Sequence, residues 1–507
     1  MNSKIRSSTK NTVAALIMQA VVMVIGIILP RLYIKEYGSE VNGLVTSITQ
    51  FISYFTIIEA GLASAGTNAL FKPIALKDVH QINRIVAAIK KFYFQVGYIF
   101  SALIVGLALI YPVFVSVEGW TYWDIVALVI VLGMYGIIDF FTLSKHRALL
   151  TADQRYYVVA NATTIAYIIN FIAVYLAIKL SFGITVVRAI ALTLYIVRSL
   201  IINVYVRVKY KYVDSKVVPD YSALEKRWDA MILQLLGLAQ TALPAILLTV
   251  FCDDLAIVSV YSIYNLVASS IIALLGVVTN GVAGTLGNII ARKKDELKSF
   301  YMSYEVLFLS VSSCVYACMM VMYLPFIKLY TSGITDYEYV YPLTALLFTL
   351  NGLFYNFKTP AGTLIGTAGV FKETKKGTII QTIIAVVLCV ALTPILGING
   401  LLIGLIASNL YRTVELVIFM SRNVTHIPPW RSFKQIIVSF IAFIVSCVPF
   451  MFIKLEPENY LLWFMQAVLV FLCSVIITVI MNLICNMSLT ITLSSKLKKI
   501  FLKGKQK

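Results

Sequence analysis

The chain has 507 residues, 60% of them hydrophobic and only 13% charged, with a mean hydropathy of +0.89. Apolar surface on that scale needs lipid to cover it, which excludes a soluble globular protein and predicts an all-α polytopic membrane protein. The net charge of +19 would suit nucleic acid, but its placement along the chain excludes that partner.

Residues 1–10 are short and basic. The apolar run behind them is too long for a signal peptide and has no small-residue cleavage site, so an uncleaved first span is expected. Fourteen apolar segments follow, each near the roughly 20 residues that cross a bilayer as helix: 12–34, 41–66, 92–115, 122–143, 156–178, 183–206, 230–251, 257–286, 303–324, 339–357, 377–394, 398–420, 435–453 and 460–485. The first two form a hairpin through Tyr37–Gly38–Ser39. That hairpin carries Arg31 and Glu59 at the edge of hydrocarbon or within it. Ionisable groups there are expensive and are functional candidates. The simpler alternatives are that Arg31 snorkels to a headgroup and that Glu59 pairs with a neighbouring helix.

Charge fixes the orientation. Of the 42 Lys and Arg, 34 fall on the N-terminus, alternate loops and the C-terminal tail. Only 5 fall on the other side, counting Arg31 at the outer end of the first span, and Arg188, Arg198 and Arg412 lie within spans. By the positive-inside rule both termini are expected in the cytoplasm, facing the anionic lipid of the inner leaflet.

An internal repeat shows at an offset of 214. Leu29–Pro30 matches Leu243–Pro244, Phe182–Gly183–Ile184 matches Leu396–Gly397–Ile398, and Arg198 matches Arg412. Six spans per half return the chain to the same side. The halves are therefore expected as two six-helix bundles in a parallel pseudo-two-fold repeat. The expected organisation is an N-terminal bundle over 1–210, a cytoplasmic loop over 211–229 and a C-terminal bundle over 230–424. Two appended helices over 425–490 and a basic tail over 491–507 complete it.

A path between bundles needs polar groups facing inward. Arg31, Arg188, Arg198 and Arg412 are the candidates for binding an anionic substrate, and Glu59 and Asp139 for coupling to an ion. Asn42, Gln50, Asn265, Asn280, Asn351 and Glu415 are the candidates for lining a cavity. Burial without a partner would let Glu59 titrate; the competing expectation is a fixed pair with Arg198 or Arg412. Arg412 and Glu415 stand three residues apart, which also suits an ordinary intrahelical ion pair. Gly397, Gly400 and Gly404 read as close helix packing. The seven cysteines fall mostly in apolar segments without metal-ligand spacing, and Cys314 and Cys318 read as packing residues one turn apart. No metal or cofactor is expected, and no nucleophile–base constellation or phosphate loop marks an enzyme.

Leu29–Pro30–Arg31, Tyr37–Gly38–Ser39–Glu40–Val41–Asn42–Gly43–Leu44, Gln50–Phe51, Glu59–Ala60–Gly61–Leu62 and Ala148–Leu149–Leu150–Thr151–Ala152–Asp153–Gln154 resemble the polysaccharide-biosynthesis flippases. These belong to the multidrug/oligosaccharidyl-lipid/polysaccharide exporter superfamily. The resemblance covers spans one to twelve in topology and is sharpest over 29–91. It implies two six-helix bundles around a central cavity and a multi-pass protein of the bacterial plasma membrane. It implies export of an undecaprenyl-diphosphate-linked oligosaccharide for capsule, exopolysaccharide or O-antigen synthesis. Partners implied are membrane lipids, a polysaccharide polymerase and glycosyltransferases. Arginine suits a diphosphate because its fork bonds bidentately. The competing readings are a multidrug or toxin-extrusion cation antiporter, which would use Glu59 and Asp139, and a non-transporting cell-envelope scaffold.

Overall fold

The computed structural model describes residues 2–214, 217–221, 243–252, 254–292, 294–453 and 455–504. Among the described residues every regular element is a helix. The chain divides into two compact units, one of residues 1–249 with 253–259 and one of 250–252 with 260–507.

The first unit contains α1 (Asn2–Tyr37), α2 (Ser39–Phe55), α3 (Ile57–Leu76), α4 (Val79–Phe114) and α5 (Tyr122–Thr142). It continues through α6 (Ser144–Ala152), α7 (Tyr156–Lys179), α8 (Ile184–Ala191), α9 (Thr193–Lys209) and most of α10 (Leu243–Phe251). Gly38 makes the turn between the first two spans at φ 85°, a backbone conformation that favours glycine. The second span is jointed at Thr56 into α2 and α3. The hydroxyls of Thr49, Ser53 and Thr56 bond back to Val45, Thr49 and Ser53 carbonyls at 2.7–2.8 Å. Such back-bonding competes with the helix ladder and bends it. The joint thus falls just before Glu59. A capping box starts α5: Asp124 N–H donates to Thr121 Oγ1 at 3.3 Å, and Thr121 N–H donates to Asp124 Oδ2 at 2.9 Å. α4 and α5 lie in close contact because Gly133 and Gly136 leave room for Ile104 and Phe100.

The second unit contains most of α11 (Ala256–Arg292), then α12 (Lys294–Tyr330), α13 (Pro342–Phe357), α14 (Thr359–Ala368), α15 (Phe371–Met420), α16 (Pro429–Met451) and α17 (Tyr460–Gly504). α16 and α17 both pack on α12. Polar side chains join them within the apolar interior: Gln435 Nε2 to Asn482 Oδ1 at 3.1 Å, and Asn482 Nδ2 to Ser310 Oγ at 3.1 Å. Cys314 and Cys318 do face a neighbour: their thiols meet Thr478 Oγ1 and the Ala467 carbonyl of α17 at 3.3 Å.

Ten helices among the described residues are long and apolar enough to cross a membrane. The difference from fourteen segments has physical causes. One stretch, Glu373–Thr425, has 53 residues; at about 1.5 Å per residue that is roughly 80 Å, more than twice the hydrocarbon core. It breaks at Gly397, with φ 54° and ψ −133°, into spans eleven and twelve. Span two is divided at Thr56, and span ten is the 16-residue α13. Span seven is described only from Leu243; its first part, 230–242, lies outside the described residues. Gly397 is therefore a turn-maker, which the packing reading missed. Gly400 and Gly404 match that reading: a Cβ on either would strike Leu392 or Cys389 of the preceding span.

Candidate functional site

Unit one holds a half-buried ion network. Glu59 at the start of α3 pairs with Arg147 of α6, and Asp139 near the end of α5 pairs with Arg198 of α9. Arg147 Nη1 also lies 4.0 Å from Asp139 Oδ2, which links the two pairs into one chain of four charges. Tyr93 of α4 donates its hydroxyl to Glu59 Oε1 at 3.2 Å. Two carboxylates and two guanidiniums leave the network neutral, which offsets the cost of taking charges partly out of water.

Arg147 is the residue that sequence reasoning missed, and Glu59 pairs with it rather than with Arg198 or Arg412. The hydropathy of 144–155 reads as a loop. In the structure, 144–152 forms a short helix packed against α3, which carries Arg147 under Glu59. A basic residue one position before the Ala148–Leu149 motif was the available signal.

Arg188 of α8 is set apart from that network. Its guanidinium lies over the Tyr33 ring of α1, 3.8 Å from the centroid, and its buried Nε has no hydrogen-bond partner. Stacking on an aromatic face suits arginine but leaves its donors able to take an anion. Arg31 is half-buried on α1. Asn42 is buried and donates to Ser259 Oγ at 2.8 Å, and Gln50 is half-buried on α2. Asn42 therefore packs helices together at the place where Gly43 touches the Leu255 carbonyl.

Unit two holds a second polar cluster. Lys358, between α13 and α14, donates to Asn409 Oδ1 at 2.8 Å, and Asn409 Nδ2 donates to Asn351 Oδ1 at 3.0 Å. Gln381 donates to the same Asn409 oxygen at 3.3 Å. The Lys358 ammonium also sits over the Tyr355 ring at 4.5 Å. One turn beyond Asn409, Arg412 is 8% exposed and pairs with Glu415 at 2.6 Å. It also donates to Thr378 Oγ1 at 2.9 Å and the Thr374 carbonyl at 3.3 Å. The intrahelical pair is the arrangement found. Gly377 lies against it so closely that a Cβ there would overlap both side chains. Glu305 of α12, 5% exposed, accepts from Tyr301 at 3.0 Å. Neither Lys358 nor Glu305 stood out in the sequence, the first because it sits at a span's end. Asn265 is half-buried on α11; the Asn280 side chain lies outside the described residues.

Solved structures share this arrangement of helices. The lipid II flippase MurJ in an inward closed conformation superposes with a TM-score of 0.64 at 14% identity, over 94% of this chain and 98% of that one. An inward-facing multidrug-resistance MATE transporter of the MOP superfamily also gives 0.64 at 14% identity, over 87% of this chain and 100% of the other. A mutant of the Vibrio cholerae MATE transporter VcmN gives 0.56 at 12% identity, over 84% and 100%. The chain has the fold of these flippases and exporters. No family model and no curated protein sequence matches it. At such identities the fold carries over and the site does not.

Proposed function

We propose that this protein is a flippase that carries an undecaprenyl-diphosphate-linked oligosaccharide from the inner to the outer leaflet of a bacterial plasma membrane. It works by alternating access with both termini cytoplasmic, and its product feeds capsule, exopolysaccharide or O-antigen assembly. The observation that carries this reading is the charge of the buried groups. Glu59 and Asp139, the carboxylates that a cation exporter would use, are occupied by Arg147 and Arg198. Arg188 and Lys358 remain as half-buried cations that rest on tyrosine rings and, among the described residues, have no carboxylate partner. Against these two cations stands, among the described residues, one buried carboxylate, Glu305; cations left without a carboxylate partner favour an anionic headgroup and disfavour an organic cation.

Arg188 in unit one and Lys358 in unit two are thus, each within its own unit, the groups first offered to a diphosphate. Arg198 and Arg412 join by exchanging their carboxylate partners for phosphate oxygens, and Arg31 continues the path. Partner exchange releases Asp139 or Glu415, so substrate binding and proton or cation uptake become linked through the same pairs. Cation antiport is the second reading, because the inward-facing MATE transporter fits as well as MurJ does. Proteoliposomes containing the purified chain decide between the two. Movement of a fluorescent undecaprenyl-diphosphate glycan is expected, without movement of ethidium. Ethidium export without glycan movement would establish the antiporter reading instead.

A further inference from the structure

At the basic-loop end of unit one, the ends of α3 and α9 meet the starts of α4 and α7 around a cavity of about 440 Å³. Its walls include Lys77, Asp153, Arg155, Lys209, Tyr210 and Tyr212. Ligand pockets are commonly of about 300–1,000 Å³. None of the ion network's residues lines it, and the transport reading makes no use of it.

Its charges are arranged so that two cations stay available. Asp153 is satisfied internally: Arg155 Nε lies 2.8 Å from Oδ2, and the Tyr210 hydroxyl donates to the same oxygen at 2.5 Å. Arg155 is also held by the Tyr205 hydroxyl at 3.0 Å and lies over the Tyr210 ring. Lys77 and Lys209 are both exposed, and neither has an acidic partner among the described residues. Tyr210 and Tyr212 have ring centroids 5.9 Å apart, and the outer ring, Tyr212, is 46% exposed.

The backbone at the rim is an independent sign. α3 ends in a Schellman turn: Asp78 N–H bonds the Pro73 carbonyl at 3.0 Å and Lys77 N–H bonds the Ile74 carbonyl at 3.2 Å. The residue at its left-handed position is Lys77, with φ 56°. Glycine would fit there without steric cost. Gln154, between Asp153 and Arg155, is also left-handed at φ 57°. Its carbonyl accepts from Asn11 Nδ2 at 2.9 Å, and Asn11 Oδ1 accepts from Tyr157 N–H at 2.8 Å. Two non-glycine residues in this conformation flank one pocket, and such strain clusters at ligand sites.

We propose that this pocket binds a phosphate-bearing headgroup, with Lys77 and Lys209 on the phosphate and the Tyr212 face against the rest of the ligand. Basic pockets between helices at the cytoplasmic surface hold anionic lipid headgroups this way. The same chemistry would take a soluble phosphate. The chain test uses purified full-length protein and two probes: phosphatidylglycerol in phosphatidylcholine nanodiscs, read by native mass spectrometry, and inorganic pyrophosphate, read by thermal shift. The variants are Lys77→Gly, which relieves the backbone while removing the charge, and Lys77→Gly with Lys209→Ala. Each lysine contributes about fivefold near an anionic surface, so the double variant should bind roughly 30-fold more weakly, with Tm equal to or above that of wild type. Phosphatidylglycerol adducts lost in the double variant assign a lipid. Stabilisation by pyrophosphate that the double variant loses, without lipid adducts, assigns a soluble phosphate. Equal binding by wild type and double variant, or no binding of either probe, overturns the proposal. Its failure would leave glycan transport unaffected.

Discussion

Glu59 and Arg147 show what one side chain does to a buried site. With Arg147 truncated, Glu59 and Asp139 would share a low-dielectric space with one guanidinium between them. Breaking a fully buried pair costs about 3–5 kcal/mol. The Arg147 side chain is 33% exposed, so Arg147→Ala should cost less, about 2 kcal/mol, measured as a lowered unfolding midpoint in detergent. Adding Glu59→Gln should recover much of that loss, because no unpaired carboxylate then remains. If the double variant were less stable than Arg147→Ala by a further full increment, the two residues would not act as a pair. The sequence marked Glu59, Asp139 and Arg198 as costly residues in apolar surroundings, since cost in hydrocarbon is a local property. It did not mark their pairings, which depend on how α6 folds back against α3. Arg147 and Lys358 escaped for that same reason: each sits at a segment's end, where a basic residue normally reaches water.

Among the elements, two glycines make claims that mutation can check. Gly43 lies against the Leu255 backbone. Backbone gives way far less readily than the end of a side chain, so Gly43→Ala should force α2 away from that contact. It should lower the unfolding midpoint by an amount typical of overpacking, about 1–3 kcal/mol. Gly397 carries the break in α15 at φ 54°. Gly397→Ala should be destabilised by about 1–2 kcal/mol, the cost of placing a Cβ in a left-handed region. A stability equal to wild type for either variant would contradict the geometry. Gly397 shows a limit of reading by composition. Its two neighbours in the pattern, Gly400 and Gly404, are packing glycines, and nothing in the residue types distinguishes them from a turn. The 214 offset did contain the clue, since Gly183, its mate, stands at the N-terminus of α8.

At the scale of the whole molecule, most of the architecture is readable because lipid imposes it. Segment length, the alternation of basic loops and the absence of soluble-domain sequence predict a many-span helical protein. The helices and the shared fold of MurJ and MATE structures agree with that. Substrate chemistry was less legible, because it depends on which buried charges are neutralised by others. Topology remains a direct expectation: a reporter fused after Lys507 should read cytoplasmic, and a cysteine at the exposed Glu118 should label from outside. The opposite result at either position would reverse the charge argument.

The claim at the centre is that half-buried cations without a carboxylate partner carry an anionic lipid headgroup. Leaflet accessibility of a labelled lipid-linked glycan, in cells producing equal amounts of each variant, measures it most directly. Arg188→Ala combined with Lys358→Ala should lose most outward accessibility. Each replacement removes a charge-assisted bond of about 1.5–3 kcal/mol, roughly 10- to 150-fold in headgroup affinity. Lysine at position 188 should restore only part of it, because it lacks the fork. Arg198→Ala with Arg412→Ala should also impair export, through the loss of exchangeable pairs. Wild-type accessibility in the Arg188→Ala, Lys358→Ala double variant would contradict the account.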